Sequence, residues 1–223
     1  MPPSVERLTR EYLRNPVYIT IGDPNSTAAE RIKQIVLWIN NDNIKRKKLM
    51  EVLPNMNAPI MIFTNTKKIC DSLAKYLKTN KYSCIALHGG KSQDTREYSL
   101  EQFKLGNYDI LVCTNVAGRG IDIKGVQNVI NYDMPNNIQD YCHRIGRTGR
   151  FGSYGISITF LDNYKQKITL DTFIKKLNTQ IHKLPSNINS NDINYLSSLI
   201  LNETDKKKLH KLNTKKPSKN TRE

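Results

Sequence analysis

The residues best suited to chemistry lie in one segment, Tyr141-Cys142-His143-Arg144-Ile145-Gly146-Arg147-Thr148-Gly149-Arg150. Arg144, Arg147 and Arg150 recur every third residue, so on a helix and its exit they fall on nearly one side. The glycines between them let an anion approach closely. Guanidinium groups in this pattern suit the spreading negative charge of a phosphoryl group in transfer, supplied from one module to another as a finger. A solvated basic helix end is the plain alternative, and three further segments weigh against it.

In Leu111-Val112-Cys113-Thr114-Asn115-Val116-Ala117-Gly118-Arg119-Gly120-Ile121-Asp122, a strand ends in a hydroxyl, a glycine-rich turn and a carboxylate. Thr114 and nearby amides suit a phosphate, and Asp122 suits a ribose hydroxyl. Taken alone, such a turn is an ordinary connection more often than not. In Leu87-His88-Gly89-Gly90-Lys91-Ser92-Gln93-Asp94-Thr95-Arg96, the glycines allow close backbone approach at a helix start, with Arg96 one turn further in. That suits a nucleic-acid backbone phosphate. His88 reads as a structural histidine at a strand end rather than a catalyst. Phe63-Thr64-Asn65-Thr66-Lys67 ends a strand with hydroxyl and amide side chains and by itself predicts no more than a helix cap. A phosphate-binding P-loop is absent. Gly90-Lys91-Ser92 supplies the end of G-x-x-x-x-G-K-[ST], but the position five before Gly90 is Ile85. No Asp-Glu pair to hold a metal follows a strand, so no nucleotide pocket that works alone is expected.

These segments need elements to position them. Strands are predicted at Gln34–Ile39, Ile60–Thr64, Ser83–Leu87, Asp109–Cys113, Asn128–Asn131 and Gly155–Phe160, mostly apolar on both faces, as strands buried in a parallel sheet are. Amphipathic stretches at Lys45–Leu53, Lys67–Thr79, Ser92–Leu105, Ile138–Ile145 and Tyr164–Leu177 predict helices between and after them. The alternation implies an α/β fold, a doubly wound parallel sheet flanked by helices. Ligands of such sheets bind at the carboxyl ends of the strands, here Thr64–Lys67, Leu87–Lys91, Cys113–Asp122 and Tyr132–Pro135. Residues 1–24, with a helix expected at Ser4–Leu13 and a strand at Val17–Ile21, read as the remnant of a preceding domain and a linker. Residues 25–184 form the main domain, and 185–223 a short helix at Ile193–Leu201 with a basic, disordered tail.

The 223 residues carry a net charge of +15 and a pI near 9.6. From Lys206 onward there are eight basic residues against one acid, so eight of the fifteen net charges lie in residues 1–205. A basic surface that persists without the tail suggests a polyanion, most often nucleic acid. The tail itself is either a solvated end or a non-specific RNA contact. No run of about 20 apolar residues is present, so a membrane span is not expected, and the charged start disfavours secretion. Cys70, Cys84, Cys113 and Cys142 include no CxxC pair. They predict buried, reduced thiols in a reducing compartment rather than a zinc site.

Together the segments resemble the carboxy-terminal RecA-like domain of the DEAD-box RNA helicases. IMIFTNT is similar to motif IV, LHGGKSQDTR to the Gln-x-x-Arg segment, TNVAGRGID to motif V and HRIGRTGR to motif VI, in matching order from about Ile32 to Leu161. The opening MPPSVERL resembles the residues that follow motif III in the preceding domain. Within the family, MPPSVERL, VAGRGIDI and NYDMPNNIQDYCHRIGRTGRFGSYGISITFL resemble the spliceosomal branch acting at the five-prime splice site.

The resemblance implies a RecA-like sheet and an ATP-dependent RNA helicase that unwinds short duplexes, in pre-mRNA splicing and hence in the nucleus. It implies that Arg147 and Arg150 reach the γ-phosphate as catalytic arginines, that Gly120 and Asp122 contact the nucleotide, and that Thr66, Gly90, Arg96 and Thr114 hold the RNA backbone. Arg119, His143 and Arg144 would couple the two RecA-like domains. ATP with Mg2+ would be held mainly by the amino-terminal domain, leaving this chain inactive alone. The implied partners are RNA, that amino-terminal domain and spliceosomal proteins, with no membrane. One residue departs from the pattern: Asn115 stands where the family usually has Asp, keeping the shape and losing the charge. Two rivals stand beside this reading, an RNA- or protein-binding module without catalysis and the matching half of a DNA helicase.

Overall fold

A computed structural model describes residues 7, 10–14, 31–39, 42–115, 123, 125–150, 153–177 and 181–184. Seven strands form one sheet: β1 Ile32–Trp38, β2 Ile60–Thr64, β3 Cys84–Leu87, β4 Ile110–Thr114, β5 Asn128–Asn131, β6 Gly155–Leu161 and β7 His182–Leu184. Their spatial order is β3-β4-β2-β5-β6-β1-β7, and every pairing is parallel. The α-helices between and after the strands are α1 Asp42–Val52, α2 Lys67–Thr79, α3 Gln93–Lys104, α4 Ile138–Ile145 and α5 Tyr164–Leu177. This is the doubly wound α/β fold that the alternation predicts.

The sheet is covered on both faces, which explains why its strands carry apolar residues without alternation. Successive residues of a strand point to opposite faces. On one face Ile60, Ile62, Val112, Ile130 and Ile158 pack with Leu49 and Val52 of α1 and Leu73 and Leu77 of α2. On the other, Met61, Phe63, Leu111, Cys113 and Val129 pack with Phe103 of α3. Toward β1 on that second face, Ile32, Val36 and Leu161 meet Tyr141 and Ile145 of α4 and Leu170 and Phe173 of α5.

The bed under α4 is partly polar. The Tyr141 hydroxyl donates to Gln34 Oε1 at 2.7 Å, and Asn131 Nδ2 donates to Thr159 Oγ1 at 3.0 Å. All four residues are buried. Gln34, where the strand was predicted to start, lies inside β1, which begins two residues earlier at Ile32; an apolar pattern gives no sign that such a glutamine is buried. The strand β7 was not expected at all. Three residues, His182-Lys183-Leu184, carry no usable period, and they pair with Ile35–Leu37 of β1 at the sheet edge.

Of the amino-terminal helix expected at 4–13, Arg7 and Arg10, Glu11 and Tyr12 are helical. Leu13 is described and not helical, while the rest of that helix, the strand at 17–21 and the helix at 193–201 lie outside the described residues. Among the described residues no helix is long and apolar enough to cross a membrane.

All four cysteines are free; Cys70, Cys84 and Cys113 are buried and Cys142 is half-buried. Burial pushes the Cys70 thiol up to about 12 and that of Cys84 to about 11, and raises that of Cys113 as well. A thiol reagent is therefore expected to modify Cys142 first in the native chain. The other three should react only on unfolding, which timed labelling with mass spectrometry of the peptides checks.

Candidate functional site

Three helices start at loops that follow strands of the sheet, and each start is capped by its own side chain. Thr66 Oγ1 accepts from the Ile69 amide at 3.2 Å at the start of α2. Ser92 Oγ accepts from Thr95 at 3.3 Å for α3, and Asn137 Oδ1 from Asp140 at 2.8 Å for α4. The residues expected to hold RNA gather on the loops after β2, β3 and β4. Thr66 is exposed at the first. Gly90, at the second, sits so close to it that an added Cβ would lie 3.1 Å from Lys67 Cδ. Thr114 ends β4 in register with Thr64 of β2 and is only 8% exposed, so little of it is open to a ligand. Arg96, one turn into α3, receives no carboxylate; its Nη1 donates to Gln93 Oε1 at 2.9 Å, and its buried Nε has no protein partner. Arg119, Gly120 and Asp122 lie outside the described residues.

Arg144, expected to couple the two domains, is 1% exposed and uses its guanidinium inside the domain. Its Nη2 donates to Asn65 Oδ1 at 2.6 Å, its Nε to Asn115 Oδ1 at 2.6 Å and its Nη1 to the Asp133 carbonyl at 2.7 Å. Those three acceptors stand just past the ends of β2, β4 and β5. One side chain from α4 thus ties together the loops after β2, β4 and β5, next to the candidate RNA contacts Thr66 and Thr114. The Phe63 ring lies 5.4 Å from the Arg144 guanidinium carbon. Burial pulls the Arg144 pKa down to about 10, which leaves it charged at neutral pH.

All three acceptors are uncharged. The Asp133 carboxylate is engaged elsewhere, by Lys45 Nζ at 2.9 Å and by the Asn65 amide at 2.9 Å. Lys45 is itself buried and also reaches Asp162 at 3.5 Å. A cavity of about 500 Å³ opens beside this knot, lined by Lys45, Arg46, Asn65, Tyr132, Asp133 and Asp162 among others. Sequence reasoning missed Lys45 because it opens the run Lys45-Arg46-Lys47-Lys48, which looks solvated. The available signal was phase: Lys45 precedes Leu49 by four and Val52 by seven, on the stripe that α1 buries.

Since Asn115 offers Arg144 a neutral oxygen, Asn115→Asp is expected to strengthen that contact into a charge-assisted bond. The expected gain is about 1 kcal/mol, or a rise of about 2–4 °C in melting temperature for a chain of this size. Thermal unfolding of the variant checks it. A lowered midpoint would mean that desolvating the new carboxylate outweighs the pairing.

Arg147 and Arg150 occupy the exit of α4. Arg147 Nε donates to the His143 carbonyl at 3.1 Å and Arg150 Nε to the Gly146 carbonyl at 2.6 Å, so both side chains lie along the helix end. His143 is exposed. The turn that follows is rigidly specified. Thr148 Oγ1 lies 2.8 Å from the Val126 and Gln127 carbonyls, beside the amino end of β5. Gly149 has φ +69°, and a Cβ there would lie 2.7 Å from the Ile32 side chain, so only glycine fits. The backbone that carries both arginines is therefore fixed well before any ligand arrives. Among the described residues no three His, Cys, Asp or Glu side chains cluster so as to hold a metal ion.

A parallel sheet of this order, with motif-bearing loops on its strand ends and an arginine-rich helix exit, defines a RecA-like helicase domain. The model of the helicase conserved C-terminal domain matches residues 44–152. The solved C-terminal domain of the DEAD-box protein Dbp5 is 30% identical, with a TM-score of 0.69, over 77% of this chain and 98% of that one. The chain belongs to the DEAD-box helicases, as their carboxy-terminal helicase domain.

Its curated relatives include the "Probable ATP-dependent RNA helicase DDX23" of Homo sapiens, 53% identical over 162 residues. That match takes in 72% of this chain and 20% of the relative. The "Pre-mRNA-splicing ATP-dependent RNA helicase PRP28" of Coccidioides immitis is 39% identical over 194 residues, 86% of this chain and 24% of the relative. The chain thus spans about one fifth to one quarter of the length of these relatives.

Proposed function

We propose that this chain is the second RecA-like half of an ATP-dependent RNA helicase that acts in pre-mRNA splicing, and hence in the nucleus. Residues 25–184 are its working domain, 1–24 belong to the connection from an amino-terminal RecA-like domain, and 185–223 form a basic extension. Thr66, Gly90, Arg96 and Thr114 hold the RNA sugar-phosphate backbone without reading bases. Gly120 and Asp122 face the nucleotide, and Arg147 and Arg150 contact its γ-phosphate across the interdomain cleft. Arg119 and the exposed His143 meet the partner domain, while Arg144 couples from within, by holding the loops after β2, β4 and β5 in fixed relation to α4. ATP with Mg2+, bound mainly by the amino-terminal domain, supplies the phosphoryl transfer. This chain's part is to neutralise the charge that develops.

The observation that carries the reading is HRIGRTGR in a chain of this family, folded as a helix end whose rigid glycine turn presents two half-buried arginines. Similarity to a pre-mRNA-splicing helicase supports the choice of process. The test is RNA-stimulated ATP turnover, at fixed salt, by the chain alone and after mixing with a DEAD-box amino-terminal half. Silence alone and turnover on mixing are expected. RNA binding with no turnover on mixing would favour a binding module instead.

A further inference from the structure

His88, read from sequence as merely structural, sits at the centre of a hydrogen-bonded chain that ends on the glycine turn before α3. It is 4% exposed. Its Nδ1 lies 3.1 Å from the Gly90 amide, which can only donate. Nδ1 must therefore be the unprotonated, accepting nitrogen. In the neutral ring Nε2 then carries the proton, and Nε2 lies 2.9 Å from Asp71 Oδ2, an acceptor on the exposed side of α2. The opposite tautomer would set an N–H against the Gly90 N–H and leave Nε2 with no proton for Asp71.

The other Asp71 oxygen holds Lys91 Nζ at 3.0 Å, and the Lys91 amide donates to the His88 carbonyl at 3.1 Å. Burial opposes charge on Asp71, but the bonds from His88 and Lys91 prevail and keep its carboxyl below the usual carboxylate range. The turn is thus held from both sides, and it packs so closely that a side chain on Gly90 would need its neighbours to give way. A Cβ on Gly90 would stand 3.1 Å from His88 Nδ1 and from Lys67 Cδ.

We infer that His88 is a positioning residue for RNA: its Nδ1 fixes the Gly90 amide and thereby the turn, and Asp71 selects the tautomer that can do so. This rests on the reading of Gly90 as a backbone contact. A turn free to rotate would lose part of its binding to ordering costs, whereas a held one binds preorganised.

Two substitutions separate the ring's nitrogens. In His88→Asn the side-chain oxygen takes the place of Nδ1 and the reach to Asp71 is lost. In His88→Gln the amide reaches Asp71 and the acceptor for Gly90 is lost. The 223-residue chain and both variants would be titrated into a fluorescein-labelled single-stranded oligouridine at one salt concentration. Amide exchange at Gly90 and the thermal midpoint would be recorded alongside.

We expect His88→Gln to weaken RNA binding about tenfold, the scale of one lost hydrogen bond, and to speed Gly90 exchange by a similar factor. His88→Asn should stay within about twofold on both, although the two midpoints fall alike. Equal RNA losses in the two variants, or losses that follow the midpoints, would overturn the positioning role and leave the RNA reading intact. If Gly90 exchange responds as expected while the unaltered chain binds no RNA, the RNA reading falls and the role falls with it.

Discussion

Replacing Arg147 with alanine in the mixed two-domain system is expected to lower RNA-stimulated ATP turnover by about a thousandfold or more. That is the range by which a guanidinium supplied to a transferring phosphoryl group accelerates the reaction. The fold should not suffer, since the side chain's Nε bond to the His143 carbonyl is made at the surface end of α4 and not in the core. RNA binding by the chain alone should also be spared, because the candidate RNA contacts lie on the loops after β2, β3 and β4. Arg147→Lys keeps the charge but loses the planar fork, and turnover should remain low. The readout is single-turnover hydrolysis at saturating ATP, with circular dichroism and RNA affinity as controls. Turnover within tenfold of normal in the alanine variant would remove Arg147 from the finger role.

The second large effect is on stability. Arg144→Met removes a buried guanidinium and leaves Asn65 Oδ1, Asn115 Oδ1 and the Asp133 carbonyl without their donor. The Asp133 carbonyl is buried, and a buried, unpaired acceptor costs on the order of 1–3 kcal/mol, whereas Asn65 is exposed and Asn115 half-buried, so water can reach their oxygens. Methionine recovers some packing, so the net loss should be about 2–4 kcal/mol. That is a large part of the roughly 5–15 kcal/mol a domain commands. Arg144→Lys should lose somewhat less, since it keeps a charged donor, but it should not match arginine, because one ammonium cannot span three acceptors placed for a planar fork. Urea unfolding with a shared slope measures both. A loss below about 1 kcal/mol for the methionine variant would mean that the three loops are held by something other than this side chain.

Arg144 also marks the limit of what the sequence disclosed. It shares charge and spacing with Arg147 and Arg150, and counting by threes suggests one common face. A step of three on an α-helix lags a full turn by about 60°, however, and the lag accumulates. Arg144 falls with Tyr141 and Thr148 on the stripe that meets the sheet, and Arg147 turns away from it. Elements bounded by clear punctuation were legible to the residue. β2 and β5 are short apolar runs between polar loops, and α2 and α4 begin after the capping residues Thr66 and Asn137. What escaped notice was the burial of two polar residues, Gln34 within β1 and Lys45 within α1, and the three-residue β7 at the sheet edge. A pattern of apolar residues carries no information about a polar group that finds its partner from a distant part of the chain. Of the site, the segments on the loops after β2, β3 and β4 were readable from residue type. The knot of Asn65, Asn115, Asp133 and Arg144 needed the fold, because its members come from four separate elements.

The partly polar bed beneath α4 has a mechanical consequence. Apolar contact is non-directional, and a helix resting on it alone can roll or slide at small cost. Hydrogen bonds have preferred lengths and angles. Tyr141 engages Gln34, Arg144 engages the three loops, and Thr148 engages the backbone ahead of β5. These three fall along one stripe of the helix and its exit, like teeth on an indexing rack. A roll of α4 would disengage all of them together, so the helix has one setting rather than a continuum. Any force on the domain then moves Arg147 and Arg150 with the sheet as one piece.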